Sequence, residues 1–526
     1  MAGSRAAAVA RAVSWRLVSL RLATRAARTH SRTNALPALA LLATALLILG
    51  LGAAAAFNVW LAAQLIGRPD ETRYGEAILY DHAARLLRGE ALYQPLDGPP
   101  YTIVTYTPLY YWLVAGLRAL AGLGFLSGRL VSLASGLATA GFVGWLVWRR
   151  TRASAAALAA GLLFTGLGLG GLVPWTAAYK EDLLGVVLGV ASVVALELSG
   201  GTRGRLPWAA VLGAALLAAG AALTKQSLVG PAVAGAAWLV LNGRARLAAL
   251  FTLVVLALWL GTLTLLELSS HAFLENTVGG NLHQPFDPLT FGVNLRELAT
   301  YQSAPGLLAL AALVAERRQH EQSLVVLSWL GSLLPLLFLG AIGADSNYWL
   351  HFAALSAVLA TPWLWRVRRR WWGVLGALLL VGNAAVALNG AQGWLRARPA
   401  FLLAGAAVEQ PLRQLVERVA ATPGTVLADP LDVLVLADRP ILLEPIIYSL
   451  REQDGSWDPR PMVARLCSGA VKLIVLGYPP QEMGLRFPRA VAAAVSRAFE
   501  VVEEVRVGGG ARWLLAPRAE LTRCFT

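Results

Sequence analysis

The sequence predicts a polytopic α-helical membrane protein of about 11 transmembrane helices, with outer juxtamembrane helices and a small C-terminal extracytoplasmic α/β domain. Three observations lead there. Of 526 residues, 57% are hydrophobic and 14% charged, where soluble chains carry about 25% charged residues. Apolar runs near the length needed to cross a bilayer, about 20 residues, recur along the chain. The basic residues gather in alternate short loops, as the positive-inside rule requires of a multi-pass protein.

The first run, 36–66, is far longer than the core of a cleaved signal peptide and reads as a retained span. Ten further runs follow at 126–148, 153–173, 183–199, 208–224, 226–241, 247–268, 302–315, 323–342, 348–365 and 371–390. The run 107–122 is short and is interrupted by Arg118. Charge decides its place. The N-terminal tail carries seven Arg and no acid, which puts it in the cytoplasm. If 107–122 stays out of the membrane, the basic loops at 149–152, 203–205, 244–246, 317–318 and 366–370 all fall on that same side. It therefore reads as a helix lying on the outer surface. The formal charge of +15 is thus mainly a sidedness signal, and no nucleic-acid partner follows from it.

This topology divides the chain into an Arg-rich cytoplasmic tail (1–35), a membrane domain (36–390) and an extracytoplasmic domain (391–526). In the last part, β-like runs at Thr425–Ala428, Val471–Leu476, Val501–Val507 and Arg512–Ala516 alternate with helical patterns at 461–469 and 487–499. Cys467 and Cys524, the two cysteines, both fall there. An outer compartment permits a disulfide, and two free thiols are the alternative.

The chemistry is expected on the outer side. Asp70, the first acid of the chain, is followed at once by Glu71. A partly buried carboxylate at a membrane surface can act as a general base on a hydroxyl or amine. The plainer reading makes Asp70 the N-cap of a helix over 71–88. The Tyr179-Lys180-Glu181-Asp182 cluster lies at the end of another span. It is either functional, as charges beside a bilayer often are, or an interfacial helix end. Lys225 interrupts an apolar hairpin and can bind phosphate as a point charge or cap helix carbonyls. At the tip Gly343–His351, Tyr348 and Trp349 suit an interfacial belt, while Asn347 and His351 share a helical face. The loop 269–301 holds His271, Glu275, Asn276, Asn281, His283, Asp287 and Arg296. Their spacing matches no ligand pattern. No metal site is predicted, and a divalent metal stays unsupported. The cytoplasmic side carries no phosphate-binding glycine motif.

Asp70–Glu76 (DETRYGE) outside the first span, then LYQ, YTPLYYWL and GRLVSL, resembles the GT-C superfamily of membrane glycosyltransferases. The most similar branch contains the aminoarabinose transferases and protein O-mannosyltransferase relatives. Leu223-Thr224-Lys225 and Gly343–Tyr348 resemble further elements of that family. The resemblance covers most of the first 390 residues. It implies an inverting transferase that moves a sugar from a polyprenyl-phosphate donor to a glycan, lipid or protein acceptor on the outer face of a cell membrane. It assigns Asp70 as the catalytic base with Glu71 beside it, and Glu181 and Asp182 as the second acids. Lys225 and Arg129, with Lys180 and Arg73 behind them, are the cations for the lipid phosphate. Tyr74, Tyr106, Asn347, Tyr348 and His351 are expected at the substrate. No cofactor is implied. A lipid or sugar transporter or flippase is the alternative, but the acids cluster in outer loops rather than deep in spans, which suits surface catalysis.

Overall fold

The computed structural model describes residues 36–169, 174–198, 207–282, 284–315, 323–397, 406–507 and 510–519. The N-terminal tail, the basic loops at 203–205 and 317–318, His283 and Cys524 lie outside these.

Every predicted span contains helix among the described residues, although in 323–342 the α-helix stops at Gly331, a 3-10 segment covers Leu334–Phe338 and Ala341 bridges to Phe286. In order, the helices are α1 (Leu36–Leu65), α2 (Glu76–Leu87), α3 (Leu109–Ala121), α4 (Leu126–Thr151), α5 (Ser154–Leu163), α6 (Asp182–Leu198), α7 (Trp208–Thr224), α8 (Gly230–Leu241) and α9 (Ala245–Ser270). They continue with α10 (Pro288–Ala315), α11 (Leu324–Gly331), α12 (Leu350–Val367) and α13 (Trp371–Ala397). Five of the described helices, α1, α4, α9, α10 and α13, are long and apolar enough to cross a membrane. Several others are apolar but shorter, as α5 and α7 are.

Small residues let these helices approach closely, as they do in membrane bundles. The inner face of α7 is a stripe of buried alanines, Ala214, Ala215, Ala218, Ala221 and Ala222, packed on α6. A Cβ built on Gly230 would lie 2.7 Å from the carbonyl oxygen of Gly331, so α8 and α11 meet backbone to backbone. At one end of the bundle, Arg150 of α4 donates to Glu197 of α6 at 2.7 Å. The loops that carry Asp70, Lys180 and Lys225 gather at the other end.

The structure corrects the sequence reading in two places. Asp70 does not cap α2. That helix begins at Glu76, after Gly75 in the left-handed region (φ 87°), and Arg68 holds the Asp70 carboxylate instead. The expected loop 269–301 is helical from Pro288 onward. Asp287 starts that helix by accepting from the Thr290 amide at 2.8 Å, with proline in the first helical position where its missing N–H is harmless. The juxtamembrane segment 107–122 forms α3, which packs on α2.

After helix Ala406–Ala421, the C-terminal part builds a four-stranded mixed sheet in the order β1-β2-β4-β3. β1 (Thr425–Asp429) and β2 (Val471–Leu476) pair in parallel. β4 (Gly510–Pro517) runs antiparallel to both β2 and β3 (Phe499–Val507). All four strands fall on the predicted runs, and helices Arg460–Cys467 and Arg489–Ala498 on the predicted helical patterns. Cys467 is disulfide-bonded.

This domain sits directly on the first long loop. Tyr101 donates its amide to Leu442 O at 2.7 Å and accepts from the Glu444 amide at 2.8 Å. Beneath this bridge, Ala77, Ile78, Tyr110 and Tyr111 share one apolar core with Val408, Leu412, Val433 and Leu434.

Candidate functional site

The loop between α1 and α2 is pinned from below by one ion pair. Arg129 on α4 and Glu76 at the start of α2 are both fully buried, 0% exposed. Arg129 Nη2 donates to Glu76 Oε2 at 2.7 Å and to Asp70 O at 2.7 Å; its Nη1 donates to Arg68 O at 2.6 Å. The Glu76 carboxylate accepts from the Thr72 amide at 2.6 Å and from the Tyr179 amide. A buried ion pair is tolerable only with such saturation. Arg129 was expected to face the leaving phosphate. It is instead committed to carbonyls and to Glu76, and it shapes the loop that carries Asp70 and Glu71. Glu76 was visible only as the last residue of DETRYGE; nothing local marked it as the partner of an arginine 53 positions away.

Above this pair, Asp70 receives Arg68 Nε at 2.8 Å, and its side chain is 14% exposed. Glu71 donates its amide to Asp432 of the C-terminal domain at 3.2 Å. Burial, with Asp432 and Glu76 nearby, holds the Glu71 carboxyl well above the usual carboxylate range. Burial and the nearby Asp70 also raise Asp432. Lys180 lies opposite. A Cβ on Gly75 would come 2.6 Å from its Nζ, and its ammonium has no acceptor or ion pair among the described residues. The C-terminal domain adds two more groups. Burial pushes Glu444 up to about 7 while its Oε2 accepts from the Ile103 amide at 3.3 Å. Arg486 is held by Asp429, with Nη2 to Oδ1 at 2.9 Å, and lies 5.2 Å from the ring centre of the exposed Tyr74. Asp432, Glu444 and Arg486 went unseen in the sequence because each is an isolated charge in a domain without a motif.

A second cluster lies at the start of α6. Lys225 Nζ donates to Asp182 Oδ1 at 2.6 Å and to Glu181 Oε1 at 3.1 Å. It also lies 4.6 Å from the centre of the Tyr106 ring and 5.1 Å from that of Tyr348. Asn347 Nδ2 donates to the same Asp182 oxygen at 3.0 Å. The remaining oxygens of Glu181, Asp182 and Asn347, and His351 Nε2, are buried without a hydrogen-bond partner, and a small cavity touches Asp182, Lys225, Asn347, Tyr348 and His351. Lys225, also expected at the lipid phosphate, has its charge balanced by two carboxylates. Its geometry suits a neutral polar ligand better than an anion.

The tip 343–348 joins the clusters. Asp345 pairs with Arg73, whose guanidinium lies 3.9 Å from the Trp175 ring centre. Ser346 Oγ accepts from Trp175 Nε1 at 2.8 Å, and Asn347 reaches Asp182. Beside Arg73 and Tyr74 an open cavity of about 550 Å³ is walled by Leu289, Val293 and Glu297 of α10 and by Asp345. Of the loop 269–301, Asn276 is a brace: it accepts from the Val104 amide at 2.9 Å and donates to Gln94 O at 2.8 Å. Among the described residues no group of three or more His, Cys, Asp or Glu is placed to hold a metal ion.

The resemblance expected from the sequence holds at the level of fold. Among solved structures, the chain is similar to ArnT from Cupriavidus metallidurans in the apo state, with a TM-score of 0.57 and 14% identity over 89% of this chain and 97% of that one. The same protein bound to undecaprenyl phosphate gives 0.56 at 14% identity with the same coverage. The apo oligosaccharyltransferase from Archaeoglobus fulgidus gives 0.51 at 12% identity, over 85% of this chain and 73% of that one. No protein-family model and no curated protein matches the sequence.

Proposed function

We propose that the chain is an inverting glycosyltransferase that moves a sugar from a polyprenyl-phosphate donor to an envelope glycan, lipid or protein at the outer face of the cell membrane. Its eleven apolar helices cross the membrane with the N-terminus inside, and the C-terminal domain stands outside. The observation that carries the reading is the Asp70–Glu71 pair on one pinned loop, with Lys180, an ammonium without a partner among the described residues, near enough to act on the Glu71 carboxylate. The solved structure of the similar ArnT with undecaprenyl phosphate supports the donor class.

In this mechanism the acceptor hydroxyl or amine displaces Arg68 and gives its proton to Asp70. The acceptor atom attacks the anomeric carbon. The bond from that carbon to the phosphate oxygen breaks, and polyprenyl phosphate leaves with the electron pair. Lys180 and Arg73 stabilise the leaving charge, since fixed cations in a water-poor site act strongly on a developing anion. Glu71, whose carboxyl burial holds above the usual carboxylate range, donates a hydrogen bond in its protonated form to a sugar or phosphate oxygen. Glu181, Asp182, Asn347 and His351 hold neutral sugar hydroxyls beside Tyr106 and Tyr348, while Tyr74 and Arg486 line the acceptor's approach.

The test is donor consumption by purified protein with a polyprenyl-phosphate sugar. Asp70→Asn is expected to lower kcat by about 10²–10⁴, the usual contribution of a general base. Unchanged turnover in that variant rejects the assigned base. A wild-type protein that consumes no polyprenyl-linked sugar rejects the enzyme reading altogether.

A further inference from the structure

A separate cavity of about 480 Å³ lies between α2 and the C-terminal domain, within the size range of small-molecule sites. None of the residues expected at the transfer site lines it. Four arginines do, Arg85, Arg88, Arg439 and Arg465, against two acids, Asp81 and Glu90. Both acids are already matched. Asp81 receives Arg85 at 3.3 Å and Arg88 at 3.5 Å, and Glu90 receives Arg88 at 2.6 Å. Arg439 is tied to the Gly424 and Ala420 carbonyls at 2.9 and 2.8 Å.

The other two arginines are not used up. Arg85 has a side chain only 2% exposed, yet it donates through Nη2 alone, to Asp81 and Thr102. Its Nε and Nη1 have no acceptor among the described residues. Arg465 is exposed at the opposite wall, and its guanidinium has no ion pair among them. The spare Arg85 N–H groups are not sealed in the interior and so remain open to an acceptor entering the cavity. Planar N–H pairs match the oxygens of phosphate and carboxylate.

We infer that this cavity binds an anionic group, a phosphate or a carboxylate carried on a glycan, at a site distinct from the transfer chamber. A single residue separates the two: Thr102 accepts from Arg85, and the next amide, Ile103, donates to Glu444 in the chamber wall. An extended acceptor would thus be held at two points, by its charged group here and by its reacting group at Asp70. The acceptor assignment rests on the transferase reading; the anion site does not.

Full-length protein in detergent is titrated with inorganic phosphate, with glucuronic acid and with uncharged glucose, and binding is read by calorimetry and thermal unfolding. At least one anion is expected to bind and raise the unfolding temperature, while glucose does not, and the anion that binds tells phosphate from carboxylate. Arg465→Glu, at an exposed position that leaves folding intact, is expected to weaken that binding at least tenfold. Lys180→Met, in the transfer chamber, is expected to leave it unchanged. Binding that survives Arg465→Glu but fails in Lys180→Met places the anion in the chamber and overturns the inference, as does an absence of anion binding by the wild type. A wild type that consumes no lipid-linked sugar rejects the transferase reading without touching this result.

Discussion

At the scale of single residues, the site depends on groups that never meet a substrate. Removing one partner of a buried ion pair leaves an uncompensated charge, at a cost of about 3–5 kcal/mol. Arg129→Met should therefore lower the unfolding temperature sharply, and so should Glu76→Gln, because Thr72 and Tyr179 donate to separate carboxylate oxygens while the amide keeps one acceptor and leaves Arg129 unpaired. Thermal unfolding in detergent, compared with Asp70→Asn at near wild-type stability, separates the pinning residues from the reacting one. Gly75 is constrained twice. Its φ of 87° disfavours any side chain, and a methyl group there would meet Lys180 Nζ at 2.6 Å. Gly75→Ala is expected to raise the donor KM severalfold by displacing that ammonium, an effect that Lys180→Met should mask in the double variant. Asp70, Glu71 and Lys180 were legible because acids and lysine are rare in an apolar chain. Glu76 and Arg129 were not, since their partnership is a contact between two helices and leaves no spacing to read.

At the scale of elements, two short segments set the electrostatics. Residues Leu442–Glu444 run beside Tyr101 and bring Glu444 to the chamber. With its carboxyl pushed up to about 7, Glu444 is mostly neutral below that pH and anionic above it. Above pH 7 it adds a negative charge facing Lys180, Arg85 and Tyr74, which opposes a phosphate-bearing donor. The apparent donor KM should therefore rise severalfold as pH increases through 7, and Glu444→Gln should flatten that rise. Steady-state kinetics from pH 6 to 8 gives the answer. The other segment, the tip 343–348, ties Arg73 through Asp345 and Asp182 through Asn347. Helices and strands were well placed by the sequence because their apolar periods are strong: Val471–Leu476 emerges with its predicted ends. Hydropathy does not mark the start of α10, whose signal is the Asp287–Pro288 cap in a mildly polar stretch.

At the scale of the whole molecule, the membrane domain and the C-terminal domain share a core, and the chamber is made by both. Ala77, Tyr110 and Tyr111 lose part of their apolar cover if Val408, Leu412 and Val433 are removed. Deleting residues 406–526 should consequently expose the loop 67–108 to solvent. Amide hydrogen exchange in Tyr101–Ile103 is expected to accelerate by orders of magnitude, because those hydrogen bonds lose their partners, while exchange in the α6–α7 pair stays slow. Arginine counts gave an expectation of sidedness, but nothing in the sequence foretold the docking. It rests on one parallel bridge and on side chains scattered over a domain with no recognisable motif.

The Tyr101–Leu443 bridge also sets an order in time. The loop bearing Asp70 is made well before Asp432, Glu444 and Arg486, which follow far along the chain. A partly made chain already inserted in the bilayer would hold its acids open to water, with nothing to exclude it or to position an acceptor. The site would stay open until the later domain folds back over that loop, so that its enclosure waits on the docking of the two.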